Sequence, residues 1–474
     1  MPADATLIDK TALEMIALLA KGDITPRDCL DVLESRIGAV DGAVNALPTL
    51  CFDRARAAAK VAGAKPAGER GLLQGLPVAI KDLTDVAGVR TTYGSPVFAN
   101  HLPPASDPLV ERLEAEGGVI YAKSNTPEFG AGANTFNEVF GATLNPWNTS
   151  RSAAGSSGGS AVALATGMAW LAHGSDLGGS LRNPASFCGI VGFRPSPGRV
   201  ATQRSAPVEN LLSVQGPMAR NVLDCALFLD ALSGEDIRDP VSLPKPETGF
   251  LAAARSGWMP KRVAFSADLG ITPVEAEVAD ICRKAAFRFA ELGAIVEEAH
   301  PDFTGVHDAF NVLRAKNFAI SKKDLLEARR DQLKPEVIWN IEKGLALTMA
   351  DHHRAETQRA VLYGRALSFF ETYDLICTPA TIVAPFPVGH RYVESCNGVT
   401  FDNYVHWLAI AYAFTVVGCP AISIPCGFTK EGLPVGLQIA ARQRGDGRVF
   451  AGAKALEEVL GLGRITPILP RKGH

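Results

Sequence analysis

Residues 150 to 184 constrain this chain more than any other stretch. They read Ser-Arg-Ser-Ala-Ala-Gly-Ser-Ser-Gly-Gly-Ser at one end and Gly-Ser-Asp-Leu-Gly-Gly-Ser-Leu-Arg-Asn-Pro at the other, with the small apolar run Ala161 to Ala172 between them. A flexible linker keeps its Gly and Ser continuous and carries no Val, Leu, Met or Trp. Here two glycine-rich turns are tied to a segment that must be buried. Glycines let backbone approach a ligand closely and serines offer hydroxyls, so chemistry is expected at these turns.

The surrounding chain has the means to hold such turns rigidly. Its 474 residues are 47% hydrophobic and 20% charged, the profile of a packed globular protein. A net charge of -3 with scattered basic residues gives no footprint for nucleic acid or an anionic membrane surface. The first residues lack a basic segment followed by an apolar core, and no apolar run has the length of a membrane span, so a cytoplasmic protein is expected. Nine isolated cysteines without a Cys-x-x-Cys pair read as small buried hydrophobes in a reducing compartment.

Strand-like and helix-like segments alternate. Thr25-Pro26-Arg27-Asp28 is a helix start, with Thr25 as cap and Pro26 in the first turn. Gly75 to Asp82 reads as a buried strand ending in two charges, Asp107-Pro108 opens a helix, and Val119 to Ala122 is the next strand. Strands follow near 261–265, 293–298, 374–378, 420–425 and 435–439, and one long helix is predicted over 273–292. The Pro-rich loop 239–249 is the best candidate for a subdomain boundary. The pattern predicts an α/β fold: a large mixed β-sheet flanked by helices on both faces. It is read as a single domain over 1–474, with its core in 65–240 and 370–474. The charged helical segment at about 300–370 is an insertion forming a cap.

Several chemistries are set aside by residue type. The one close histidine pair, His352-His353, is adjacent in sequence and lies on different sides of a helix, and no His-Glu-x-x-His or Cys/His cluster exists, so no metal site is expected. Gly155 to Ser160 resembles an anion cradle before a helix, but the Gly-Lys-Ser/Thr of a phosphate loop is missing. Serine hydrolysis remains, yet His173 reads as a core residue and no other histidine has the context of a catalytic base. Lys81, at the tip of a buried strand, is the candidate base, although a strand-end lysine taken alone is ordinarily solvated.

Residues 151 to 194 resemble the signature of the amidase signature family, from Gly155-Ser156-Ser157-Gly158-Gly159-Ser160 through Gly174 to Ala185 and Cys188 to Pro195. The similarity extends to Gly75–Asp82, Lys123–Glu128, Asn145-Pro146-Trp147, Gly216–Arg220, Gly418–Ala421 and Gly432–Gln438. The resemblance implies a Ser-cisSer-Lys triad: Ser180 as acyl-forming nucleophile, Ser156 as bridging serine and Lys81 as general base. It implies a cis Gly155–Ser156 bond and an oxyanion hole from the amides of Leu177, Gly178, Gly179 and Ser180. Asp176 and Arg182 are expected to pair and brace that loop. Two departures, Ala154 before Gly155 and Ser124 after Lys123, spare the three catalytic side chains.

The implied function is hydrolysis of a carboxylic amide to carboxylate and ammonia or amine through an acyl-enzyme, without cofactor or metal. The partner is a small-molecule amide; neither nucleic acid nor membrane is expected, and a homodimer is left open. The alternative is the glutaminase subunit of a tRNA-dependent amidotransferase, which shares the triad. By analogy, residues 93–95, 128–135 and 305–345 shape the acyl pocket, with Phe303, Phe310, Phe318 and Trp339 as apolar candidates that serve equally as helix core.

Overall fold

The computed structural model describes residues 5–204 and 206–473. Eleven strands join in one mixed sheet. In chain order they are β1 (Thr49–Leu50), β2 (Pro77–Lys81), β3 (Val119–Ser124), β4 (Leu171–Asp176), β5 (Val191–Arg194), β6 (Val214–Ala219), β7 (Arg262–Phe265), β8 (Ile295–Glu298), β9 (Leu375–Pro379), β10 (Ala421–Phe428) and β11 (Pro434–Ala440). Their spatial order is β1-β3-β2-β4-β6-β5-β10-β11-β9-β7-β8. β2 runs parallel to both β3 and β4, and β7 to both β8 and β9; the other pairs are antiparallel.

The parallel part explains the sequence pattern. A parallel strand is covered on both faces, so it reads as a continuous apolar run rather than an alternating one. Every residue of β2 and β3 is buried, including the lysines that end or interrupt them. Helices Gly158–Ala165 and Arg182–Cys188, which follow the two glycine-rich turns, are also buried at every position. The first is small and nearly all apolar and so belongs inside, while the second buries its Arg182 against Asp176. The run from Ala161 to Ala172 is thus a buried helix leading into β4, and it holds both turns against the sheet.

The start signal at Thr25 is realised as a capping box. Thr25 accepts from the Asp28 amide, Asp28 reciprocates, and the helix runs Pro26–Val40. The long helix expected over 273–292 is shorter: it spans Ala276–Phe287 and then tightens to a 3-10 turn, Arg288–Leu292. Tertiary contacts win at its start. The Glu275 amide donates to the Ile382 carbonyl at 2.9 Å, and the Glu275 carboxylate accepts from the Ala384 amide at 3.0 Å, which keeps this residue extended.

Loop 239–249 is pinned rather than free: Asp239 is buried and ion-pairs with Arg204 at 2.8 Å. Beyond it β7 and β8, which lie outside both core segments named above, extend the same sheet at its edge. Helices Val306–Arg329, Pro335–Leu345 and Met349–Thr372 form the charged segment, and Phe318, Leu326, Leu333, Val337 and Ile341 make a small core of their own with Ala131. No helix among the described residues is long and apolar enough to cross a membrane.

Candidate active site

The parallel pairing of β2 with β4 carries Lys81 and Ser175 to the same end of the sheet, the carboxyl end, where open α/β folds place their ligands. Lys81 is fully buried. Its Nζ lies 2.7 Å from Ser156 Oγ, 2.9 Å from Ser157 Oγ and 3.0 Å from Ser175 Oγ. Three hydroxyls and no carboxylate surround the amine. Burial therefore dominates and lowers its pKa to about 7, with the charge of Asp176 opposing only in part.

Ser156 follows a cis bond from Gly155. The preceding Ala154, the departure noted in the sequence, adopts a left-handed φ of 55°, a conformation that glycine takes without strain. Ser157 Oγ donates to the Ser175 carbonyl at 3.3 Å, and the Ser157 amide donates to the Ser180 carbonyl at 3.2 Å. The two glycine-rich turns are thereby stitched together.

The second turn is organised by Asp176. This fully buried carboxylate accepts from Arg182 at 2.8 Å and Arg194 at 3.1 Å, and from the amides of Gly179 at 3.0 Å and Leu181 at 3.1 Å. Burial alone would raise its pKa, but the guanidinium groups of Arg182 and Arg194 outweigh that and hold the carboxyl well below its usual range. Gly179 has a φ of 111°, and a Cβ there would meet Asn183 Oδ1 at 2.5 Å, so only glycine fits. Because the Gly179 N–H is spent on Asp176, it is not free for an oxyanion. Of the four expected amides, Leu177, Gly178 and Ser180 keep theirs unpaired among the described residues.

Ser156, Ser175, Ser180, Leu177 and Gly178 line one cavity of about 100 Å³, and Ser180 is half-buried within it. Of the apolar candidates, Phe310 and Phe318 reach this cavity, as do Phe129, Gly130 and Gly132 from segment 128–135. Phe303 instead packs on Phe414, and Trp339 meets Tyr404 edge-on. Residues 93–95 are not on the cavity wall. His173 is a buried core residue bonded to Gln215 at 3.0 Å, and burial lowers its pKa to about 3, far from that of a base at neutral pH.

Sequence reasoning missed Ser157, Ser175, Arg194 and Arg314. The first two adjoin residues that were read, and a lysine amine with three hydrogen-bonding directions needs more than one serine. For the arginines no local signal exists. Among the described residues no three His, Cys, Asp or Glu side chains converge as a metal site requires.

The geometry agrees with relatedness. The amidase family model matches residues 28–450, and the chain belongs to this family. It is similar to an acylamidase of Rhodococcus erythropolis, 36% identical over 95% of each chain. It also resembles a glutamyl-tRNA(Gln) amidotransferase subunit of Alkaliphilus metalliredigens, 33% identical over 94% of this chain and 95% of that protein. The crystal structure of a bacterial aryl acylamidase of the amidase signature family superposes with a TM-score of 0.89 at 27% identity, covering 97% of this chain and 99% of the other. The protein is an amidase, acting on amide C–N bonds through the chemistry of this family.

Proposed function

We propose that Ser180 is the nucleophile, Ser156 the proton relay and Lys81 the general base of this amidase, and that its substrate is a small-molecule carboxylic amide. The observation that carries the reading is a fully buried lysine amine 2.7 Å from Ser156, which lines the same cavity as Ser180.

A serine hydroxyl attacks a carbonyl only when a base removes its proton. As a neutral amine, Lys81 has two N–H donors and one lone pair. Ser157 already donates its own proton to the Ser175 carbonyl, so it must accept from Lys81. Ser175 takes the second N–H, which leaves the lone pair for the Ser156 hydroxyl. Ser156 passes its proton to Lys81 as it receives that of Ser180, and the Ser180 oxygen bonds to the amide carbon. The developing oxyanion is met by the amides of Leu177, Gly178 and Ser180, each such donor contributing about 3 kcal/mol in acyl transfer. The proton then returns through Ser156 to the amide nitrogen, the C–N bond breaks, and ammonia or an amine departs. Water repeats the sequence on the Ser180 ester and releases the carboxylate.

In this reading the helices between 306 and 372 are the cap, in one domain with the sheet, because Phe310 and Phe318 close the cavity from that side. A fluorophosphonate tests the assignment. It should label Ser180 in the wild type and leave Ser180→Ala unlabelled, with loss of ammonia release from simple amides. A folded, active Ser180→Ala would overturn it. Glutaminase activity that appears only with a co-purifying second subunit would instead favour the amidotransferase reading.

A further inference from the structure

The cavity contains one permanent charge that the mechanism does not use. Arg314 stands one helical turn from Phe310 and one from Phe318 on helix Val306–Arg329, and all three side chains line the wall. Arg314 is only 5% exposed. One Nη donates to Asn340 Oδ1 and the other to the Tyr404 hydroxyl, the latter at 2.6 Å. The guanidinium lies 4.7 Å over the Phe318 ring and 5.3 Å over that of Tyr404. Every one of these partners is neutral.

The contrast with the catalytic loop is direct. Arg182 and Arg194, which are fully buried, share the Asp176 carboxylate, whereas among the described residues no carboxylate comes within ion-pair distance of Arg314. The acids nearby are committed elsewhere. Glu336 holds Arg391, Asp308 holds Arg354, and Glu128 accepts from Ser95 and the Lys334 amide. Two lysines lie behind the lining residues, Lys322 at 4.2 Å over Phe129 and Lys334 bonded to the Ala131 carbonyl, and Glu128 acts on both. A buried cation without a counter-ion is unfavourable, and neutral acceptors offset it only in part. Two of the five guanidinium donors are occupied and fix its plane, and the rest have no protein acceptor among the described residues.

We infer that Arg314 is the specificity residue for an anion on the acyl side of the substrate, so that the preferred amides are half-amides of dicarboxylic acids. The inference rests on the triad reading above. That reading requires the leaving nitrogen to face Ser156, which returns the proton. Gly178, beside Ser180 on the lining, lies against Phe310, where an added Cβ would meet the ring at 3.3 Å, and Arg314 is one turn beyond, so this side offers the acyl group its path. Apolar walls take the methylene chain, and the planar guanidinium takes the carboxylate. The cavity wall carries no Asp or Glu. An α-ammonium therefore finds no partner, and glutamine, which differs from glutaramate only by that group, is a poor substrate.

The test compares kcat/KM across the half-amides from malonamate to adipamate, the neutral amides of matching length, and glutamine. The wild type should prefer at least one half-amide over its neutral counterpart by 30-fold or more, on the order of 2 kcal/mol at about 1.4 kcal/mol per tenfold. The preference should be carried mainly by KM, and the same half-amide should exceed glutamine. In Arg314→Gln the ratio should fall to within about threefold of unity, and Arg314→Lys should restore part of it. If Arg314→Gln does not fold, competitive inhibition of wild-type neutral-amide turnover by the matching dicarboxylate decides, and absence of inhibition overturns the inference. Equal or faster turnover of neutral amides, with Ser180 labelled by fluorophosphonate, sinks the role of Arg314 and leaves the triad intact. No turnover and no labelling sinks the triad itself.

Discussion

The amide of Gly179 is held 3.0 Å from the Asp176 carboxylate, so the loop expected to cradle an oxyanion is itself anchored by one of its own N–H groups. The same carboxylate ion-pairs with two buried guanidiniums. Replacing it strands both charges. Asp176→Ala should destabilise the protein by about 3–5 kcal/mol, the scale of a broken buried ion pair. Urea denaturation measures this, and a change below about 1 kcal/mol would show that the loop is held by other means.

The buried amine makes activity pH-dependent in a defined direction. Lys81 has a pKa of about 7, lowered from 10.5 by burial, and it must be neutral to accept a proton. Below that value it is an ammonium and the rate should fall about tenfold per pH unit, with a plateau above. The profile of kcat/KM on a neutral amide reads this directly. An acidic limb centred near 10 would mean that Lys81 keeps its ordinary basicity.

Ser157 offers a sharper probe of the same amine. Its hydroxyl accepts from Lys81 at 2.9 Å and so stabilises the ammonium form. Ser157→Ala should lower the Lys81 pKa and shift the acidic limb to lower pH by about half to one unit, the equivalent of one modest hydrogen bond. The plateau rate should also drop, because the lone pair is no longer aimed at Ser156. A limb that moves to higher pH would contradict this arrangement.

The nine cysteines are all free thiols, and all but Cys51 are buried. Burial pushes the Cys51 thiol up to about 11 and raises those of Cys29, Cys188 and Cys377 as well. Thiol reagents need the thiolate. A colorimetric thiol assay near pH 8 should therefore detect at most about one fast-reacting group in the native protein and all nine in denaturant. Several fast thiols in the native state would refute the packing.

What the sequence disclosed follows the range of the forces involved. β2 was legible because Pro77 to Ile80 are apolar and buried on both sides, and the Thr25 capping box because its partners are three residues apart. The order of strands was not, since β5 pairs with β10, more than two hundred residues away. The extended Glu275 owes its conformation to Ile382 and Ala384, and no pattern near 275 reports them. The site divides in the same way. Ser156 and Ser180 announce themselves through their glycines. Arg314 looks like any charge on a helix until Asn340 and Tyr404 are brought against it.

The parallel register of β2 and β4 has a consequence for how activity is acquired. Val78 and Ala79 align with Leu171 and Ala172 across more than ninety intervening residues, and that pairing brings Lys81 beside Ser175. Contacts of such sequence separation form late, after the local helices have closed their loops. Enzyme turnover during refolding should consequently trail the recovery of helical circular dichroism, and a fragment that ends before β4 should have no activity to recover.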